Sequence, residues 1–176
     1  MTDEELVKDF RRGNREAFSE LVRRHSEPLT LTLLRMVRDP EEAKDLSQTA
    51  FLRAYEKMSG FMMASSFKTW LYRIAVNAAK DHMRSRKSRI YVELSEDLPH
   101  NGKSHDEHLE QADLRVRLRK AVEELPDKQR ITLQLRMYEG MDYKEISRIL
   151  GGTEGAARVN FFQATKTLRE KLGRIL

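Results

Sequence analysis

The chain has 176 residues, of which 39% are apolar or aromatic and 35% are charged, with eight glycines and four prolines. This composition favours small helical units over one large sandwich, and the sparse turn residues give no β-hairpin signal between alternating apolar runs. The absence of cysteine excludes disulfides, thiolate metal sites and cysteine nucleophiles. The first ten residues are unlike a signal peptide and no apolar run approaches the ~20 residues of a membrane helix, so a soluble, cytoplasmic protein is predicted.

The net charge of +5 is unevenly distributed along the chain. Residues 1–87 carry 17 basic and 13 acidic side chains, which gives net +4. Residues 88–111 carry 2 and 6, net −4, and residues 112–176 carry 14 and 9, net +5. Two basic segments on either side of an acidic one predict that each basic segment meets a polyanion, whereas the acidic one stays away from it.

The first predicted helices follow from capping signals at the N-terminus. Thr2 to Glu5 has the pattern of a capping box for a short first helix that ends near Gly13. Asn14 can cap a second helix, whose apolar residues keep a helical period. Pro28 lies inside that pattern and is expected to kink or loosen the helix.

A third and a fourth helix are predicted in residues 39–88. Asp39 to Glu42 supplies an N-cap, a proline at the first helical position and two acids in the first turn, so the third helix runs to about Lys57. Its polar face carries Asp45, Gln48, Thr49 and Arg53, which fits a solvated helix and a partner-binding helix equally well. Residues 58–66 form a break between the helices, and Ser65 or Ser66 at its end can cap the fourth helix.

The fourth helix has an apolar stripe and a basic one. Residues 68–89 contain seven basic side chains against one acid. The basic stripe can follow a phosphate backbone, and aromatic residues beside it can stack on unpaired bases. A solvated basic face above core aromatics explains the same pattern. The stripe comprises Arg73, Asn77, Lys80 and Arg84, and the aromatic residues are Phe61, Phe67, Trp70 and Tyr72.

Residues 88–111 are polar and acidic and contain a Pro99 to Gly102 turn signal, which predicts a flexible linker. The predicted fold is therefore all-α, with small helical domains at 1–87 and 112–176. The linker histidines His100, His105 and His108 have no rigid scaffold around them, so solvated histidines are favoured over a metal site. We predict no metal and no cofactor.

The second domain is predicted to contain a helix at about 112–124, with Leu118 among its inward residues, and another that starts after Pro126 and ends at Gly140, with Tyr138 facing inward. Asp142 to Glu145 then starts a short helix.

A glycine turn and a last helix at about 154–172 complete the arrangement of a helix-turn-helix. The outward face of the last helix offers groups for phosphates and base edges and an apolar side chain for a thymine methyl, although an ordinary helical hairpin has the same pattern. This face comprises Arg158, Val159, Phe162, Gln163 and Lys166.

No catalytic constellation is apparent in the sequence. It has no Ser-His-Asp arrangement in a structural context, no phosphate-cradling glycine loop and no paired carboxylates in an apolar setting. The protein is therefore not expected to be an enzyme or to have a small-molecule substrate.

Four segments, in this order, resemble the extracytoplasmic-function (ECF) sigma factors of bacterial RNA polymerase, and the resemblance spans nearly the whole chain. They are DLSQTAFLRAY at 45–55, SFKTWLYRIAVNAAKDHMR at 66–84, ELPDKQRITLQLRMYEGMDYKEISRILG at 124–151 and EGAARVNFFQATKTLREKL at 154–172.

The resemblance implies an initiation factor whose first domain, called sigma domain 2, binds the clamp helices of the largest subunit of core RNA polymerase. That domain melts the minus-10 promoter element and captures a flipped base, while sigma domain 4 sits on the flap of the second-largest subunit and reads the minus-35 element. The implied polymerase contacts are Asp45, Leu46, Gln48, Leu52 and Arg53. The implied minus-10 residues are Phe61, Phe67, Trp70, Arg73, Asn77, Lys80 and Arg84. The implied minus-35 readers are Arg158, Val159, Phe162, Gln163 and Lys166.

This chain departs from the family pattern at several of these positions. Thr49 replaces a common glutamate, Met62 to Ala64 replace polar loop residues, and Asn160, Gln163 and Thr165 stand where basic residues are common. The captured base and the minus-35 sequence are therefore expected to be particular to this chain. The family also implies control by an anti-sigma factor, often membrane-anchored.

Two other functions fit parts of the pattern. A helix-turn-helix regulator that binds duplex DNA without polymerase would explain residues 112–176 but not the face at 45–84. An adaptor whose basic helices bind proteins or RNA would explain the charge.

Overall fold

The computed structural model describes residues 1–93 and 109–173, with side chains described for 1–85 and 116–173. Within these ranges the chain forms helices and no strands, which confirms the predicted all-α fold. The helices are α1 (Asp3–Arg11), α2 (Glu16–Val37), α3 (Pro40–Lys57), α4 (Phe67–Glu93), α5 (Leu109–Glu123), α6 (Asp127–Glu139), α7 (Tyr143–Leu150) and α8 (Glu154–Leu172), with a 3₁₀ turn at Met58–Gly60.

Capping side chains fix the starts of α1, α3 and α4 where the sequence predicts them, whereas the N-cap of α2 is Arg15 and not the predicted Asn14. Thr2 and Glu5 form a reciprocal capping box on α1. The Asp39 carboxylate accepts hydrogen bonds from the first-turn amides of α3. Ser66 Oγ accepts a hydrogen bond from the Thr69 amide at 3.1 Å, which opens α4. Each such bond satisfies an amide that a helix start leaves without a backbone partner.

The end of one helix differs from the sequence-based prediction, whereas α2 passes through Pro28 as its apolar pattern predicts. α4 continues to Glu93 and does not stop near Ser88, because residues 89–93 contain no glycine or proline to end it. The Pro99 to Gly102 turn signal and the three linker histidines lie outside the described residues.

Helices α1 to α4 form what we call the first lobe. α2 packs against α1, α3 and α4, and α3 packs against α4. Its core is rich in aromatic side chains, which the hydrophobic effect removes from water together with the aliphatic ones. The largest buried side chains of this lobe are Leu21, Leu29, Leu33, Met58, Phe67, Leu71 and Tyr72.

Helices α5 to α8 form the second lobe, in which α8 packs against α5, α6 and α7. Gly140, in the left-handed conformation, ends α6, and Gly151 and Gly152 with positive φ form the turn between α7 and α8. The predicted inward placement of Tyr138 and Leu118 is wrong, because their side chains are 63% and 41% exposed. Tyr138 instead packs under the Arg35 guanidinium, which lies 3.9 Å from its ring centre.

The two lobes are in direct contact. α4 packs against α7, and α2 packs against α6. We call the surface between α2 and α4 on one side and α6 and α7 on the other the interlobe contact.

Candidate nucleic-acid and partner interfaces

The basic stripe predicted on α4 lies at the protein surface. Arg73, Asn77 and Arg84 are exposed and Lys80 is half-buried, while the apolar stripe that alternates with them is turned into the core. Arg73 and Lys80 have no ion pair within the part of the chain that the structure describes, and Arg84 lies 3.7 Å from Asp81. Two cations without carboxylate partners on one helix face are available to a phosphate backbone.

The aromatic residues beside this stripe divide into two kinds. Phe61 and Phe67 are 5% and 1% exposed, which agrees with the alternative that they are core aromatics. They pack as core side chains because removing a phenyl ring from water lowers the free energy of the folded protein. Trp70 is partly buried and stacks on Phe61, with ring centres 4.5 Å apart and planes 22° apart. Trp70 therefore has only part of its indole at the surface.

The loop before α4 is held at its base and exposed at its tip. The Arg11 guanidinium donates hydrogen bonds to the carbonyl oxygens of Met58 and Phe61. Met62 is 87% exposed, and Met63 adopts a positive φ of 55°. A left-handed non-glycine residue marks a constrained turn, so the loop presents the Met62 side chain from a fixed base.

An apolar groove lies between α2 and α3. It encloses about 500 Å³ and is lined by Phe18, Val22, Ser26, Thr30, Lys44, Ser47, Gln48, Phe51, Leu52 and Tyr55. Leu52 is 65% exposed and Tyr55 is 40% exposed. An exposed leucine and tyrosine along one groove are typical of a surface that binds another protein.

The predicted partner-binding residues of α3 do not all belong to this groove. Gln48 and Leu52 line it. Asp45 and Arg53 are exposed outside it, and Leu46 packs partly against the core. The α2 wall, formed by Phe18 and Val22 among others, was missed. The sequence signal for the groove was on α3, where Leu52 and Tyr55 are apolar but lie outside the inward stripe of residues 43, 46, 50 and 54.

The last helix presents the face that the sequence predicts. Ala157 and Ala164 are buried, with Phe161 half-buried between them. On the opposite side Val159 is 58% and Phe162 62% exposed. Arg158, Gln163 and Lys166 are also exposed.

Arg158 is positioned by two neighbours. Its guanidinium donates a hydrogen bond to the Glu154 carboxylate at 3.1 Å and lies 5.4 Å from the centre of the Tyr143 ring. Tyr143 also has the Arg136 guanidinium 4.9 Å from its ring centre. Stacking of this kind holds a cation in place while leaving its N–H groups free to donate elsewhere.

The described residues contain neither a metal-binding cluster nor a membrane-spanning helix. Within residues 1–93 and 109–173, no group of three or more His, Asp or Glu side chains is arranged to hold a metal ion. None of the helices in those ranges has the length and apolar character needed to cross a membrane.

The comparisons with known proteins match both lobes. Residues 21–89 match the model of sigma-70 region 2, and residues 115–168 match that of sigma-70 region 4. These are two regions of one class of protein, the sigma factors of RNA polymerase.

Relatives of similar length narrow the class. The RNA polymerase sigma-H factor of Pseudomonas aeruginosa is 33% identical over 99% of this chain and 95% of its own length. The ECF RNA polymerase sigma-E factor of Escherichia coli is 31% identical over 98% of this chain and 95% of its own length. The chain belongs to the ECF RNA polymerase sigma factors.

Two solved structures share the fold. CnrH, in complex with the cytosolic domain of CnrY, superposes with a TM-score of 0.74 at 24% identity, over 98% of this chain and 97% of that one. RpoE of Bartonella quintana, in complex with the anti-sigma factor NepR, gives 0.70 at 22% identity, over 89% and 96%.

Proposed function

We propose that this protein binds core RNA polymerase and directs it to promoters by reading a minus-10 element with the first lobe and a minus-35 element with the second. The observation that carries the proposal is that this chain, a member of the ECF sigma factors, has two separate cationic faces. One lies on α4 and the other on α8. Each lobe also presents exposed apolar side chains beside its cations.

The α2–α3 groove, which Gln48 and Leu52 help to line, is proposed as the binding surface for the clamp helices of the largest polymerase subunit. Asp45 and Arg53 would supply polar contacts at its rim, and Leu46 supports α3 from within. An apolar centre with a polar rim is the usual build of a protein interface. The second lobe is proposed to sit on the flap of the second-largest subunit.

The α4 face is proposed to hold the opened minus-10 strand. Arg73, Asn77, Lys80 and Arg84 would follow its phosphates, and the Met62 loop together with the accessible part of Trp70 would receive the flipped base. Phe61 and Phe67 would support that site from the core.

The α8 face is proposed to read the minus-35 element in the major groove. Arg158 and Lys166 would contact phosphates or guanine, and the Gln163 amide can pair with adenine. Val159 and Phe162 are apolar and exposed, so they would meet the methyl groups of thymine. A minus-35 element that presents thymine methyls to α8 is therefore part of the proposal.

Control by an anti-sigma factor is also proposed, since both solved structures above contain a partner of the sigma factor and one of those partners is named as an anti-sigma factor. The partner would cover the α2–α3 groove, and it is proposed to be membrane-anchored. The protein itself would act in the cytoplasm, where core polymerase works. Affinity capture from an extract of the source cells, with Leu52→Asp as a comparison, tests whether a partner uses the groove.

The proposal is tested by run-off transcription with core polymerase on promoters mapped after overproduction of the protein. Promoter-dependent transcripts above those of core alone are the expected result. Folded protein that gives no stimulation would overturn the proposal. Full affinity for duplex DNA without any polymerase binding would instead identify a simple helix-turn-helix regulator. DNA binding that Arg158→Ala with Lys166→Ala leaves unchanged would favour an adaptor.

A further inference from the structure

The Met62 loop, residues 61–66, offers few side chains that can read a base by hydrogen bonding. Residues 61–64 are Phe, Met, Met and Ala. Methionine is flexible and adapts to irregular surfaces, and Met-rich or loop-rich surfaces are typical of sites that accept several partners. A loop of this composition selects one base over another through its shape, and it keeps that shape only if its backbone is held in place.

The backbone of the Met62 loop is held at both ends. At its start, Nε and Nη2 of Arg11 donate hydrogen bonds to the Met58 carbonyl at 3.3 and 3.2 Å, and Nη2 also donates to the Phe61 carbonyl. At its end, Ser66 Oγ accepts a hydrogen bond from the Thr69 amide at 3.1 Å. Only the residues between Phe61 and Ser66 lie between these two anchors.

Arg11 reaches the loop from the end of α1, and α1 is itself attached to its neighbours. The Asp3 carboxylate, in the first turn of α1, lies 2.6 Å from Nε2 of His25 on α2. In the last turn, the Phe10 ring contacts the Tyr55 ring of α3, with ring centres 5.1 Å apart. Because both ends of α1 are packed on other helices, Arg11 is a fixed support for the loop.

The guanidinium of Arg11 suits the two carbonyls that it binds. Met58 is the C-cap of α3, where helix carbonyls lack partners within the helix. A guanidinium presents several N–H donors in a rigid fork, so one side chain can hold two carbonyls at once. The ring of Phe61 is held separately, because it is 5% exposed and stacks on Trp70. Phe61, from which Met62 projects, is therefore fixed through both its main chain and its side chain.

We propose that Arg11 is a positioning residue for the minus-10 site, which fixes the Met58 and Phe61 carbonyls and so holds the Met62 loop in the shape that selects the flipped base. This inference rests on the proposed function of that loop. Arg11 acts through the loop backbone and not on the base itself. Its loss should therefore reduce discrimination between bases. A guanidinium that contacted phosphate would instead strengthen binding to every sequence equally, because phosphates carry no base information.

Base discrimination by the holoenzyme tests the proposal. The probes are single-stranded oligonucleotides of the minus-10 non-template strand from a promoter mapped as above. They carry each of the four bases at the position where the wild type discriminates most. Fluorescence anisotropy gives four dissociation constants, and the ratio of the weakest to the tightest measures discrimination. Arg11→Met keeps an unbranched side chain and removes every donor. The matched control is Arg12→Met, since the Arg12 side chain is 78% exposed and pairs with Asp9 within α1.

We expect the discrimination ratio to fall about tenfold in Arg11→Met, because hydrogen bonds from a charged donor to two carbonyls are lost. Arg12→Met should keep the wild-type ratio. Arg11→Lys restores the charge without the fork, so its ratio should lie between those of Arg11→Met and the wild type.

Two outcomes would overturn the positioning role and leave the proposed function standing. One is a wild-type ratio in folded Arg11→Met. The other is equal weakening on all four probes that Arg11→Lys restores, which would identify Arg11 as a phosphate contact. A wild-type holoenzyme that binds all four bases equally at every position would overturn base capture by the loop, and the positioning role with it.

The free protein gives a second measurement that needs no DNA. Trp70 is the only tryptophan of the chain and stacks on Phe61, so its quenching by acrylamide reports whether the base of the loop has moved. The quenching constant should rise in Arg11→Met and stay unchanged in Arg12→Met, while circular dichroism shows that both remain helical. If Arg11→Met does not fold, Arg11→Lys decides: a wild-type discrimination ratio together with wild-type quenching would contradict the proposal.

Discussion

The two lobes differ in the aromatic content of their cores. In the first lobe Phe18, Phe51, Phe61, Phe67 and Tyr72 are all buried in the core. In the described part of the second lobe the buried apolar side chains are all aliphatic, and Tyr138 and Phe162 are more than 60% exposed. The first lobe therefore has large rings in its core, although Tyr55 is exposed, whereas no aromatic ring is fully buried in the described part of the second lobe.

This difference has a consequence for stability. A helical unit of about 60 residues buries only about 60% of the surface that its unfolded chain exposes, so it is marginal without large core side chains. The second lobe has that size and an aliphatic core. It should therefore depend on its contact with the first lobe more than the first depends on it.

Truncation of a core leucine should have the largest effect, and its effect on stability should differ between the two lobes. Leu33→Ala and Leu135→Ala each remove a leucine that is fully buried, at a cost of about 2–5 kcal/mol. We expect the first lobe to survive Leu33→Ala and the second to unfold in Leu135→Ala. Urea titration measures both, because Trp70 fluorescence reports the first lobe alone and circular dichroism reports all helices. Coincident transitions in Leu135→Ala would show that the lobes unfold as one unit.

The groove should give the next largest effect, confined to the first lobe. Leu52→Asp places a charge in the lining of the α2–α3 groove and should weaken polymerase binding by about 2 kcal/mol or more, which is roughly 30-fold. Since Leu52 is 65% exposed, folding should be unaffected. Leu31→Asp, at another exposed leucine outside the groove, is the control. Equal losses in both variants would argue against a specific groove.

Salt dependence distinguishes the nucleic acid that each lobe contacts. Replacing Arg73 and Lys80 by alanine should lower the slope of log affinity against log salt by about 0.7 per contact if α4 holds single-stranded DNA. Replacing Arg158 and Lys166 should lower it by about 0.9 per contact, the value for duplex. Fluorescence anisotropy of the holoenzyme on fork and duplex probes measures both slopes. If neither pair of substitutions changes its slope, the two cationic faces do not contact DNA.

The smallest expected effect concerns methyl groups in the second lobe. Replacing one contacted thymine by uracil removes a single methyl group, worth about 0.8 kcal/mol or about fourfold in affinity. The wild type should show this loss, and Phe162→Ala or Val159→Ala should abolish it at one position each. Gel-shift titration on paired thymine and uracil probes is the measurement. Equal binding of both probes by the wild type would exclude methyl readout by α8.

Local signals in the sequence determined the elements and their outward faces. Capping residues such as Asp39, Asp142 and Thr153 act within one turn, so they fix helix starts without any help from the rest of the chain. Helical periodicity likewise placed Arg73 on α4 and Val159 on α8 at the surface. The family was indicated by four segments in a fixed order, because such a resemblance can be recognised without coordinates. These segments are 45–55, 66–84, 124–151 and 154–172.

Tertiary structure decided which apolar residues are exposed and so available to binding partners. Periodicity cannot distinguish a ring at a core position from one at a binding position, so it left both possibilities open for Phe61 and Phe67 and placed Tyr138 in the interior. The α2 wall of the groove depends on how α2 and α3 pack, and the carbonyls that Arg11 holds belong to residues 47 and 50 positions away in the chain. Contacts at such separations arise only when the helices pack together, and no local pattern encodes them.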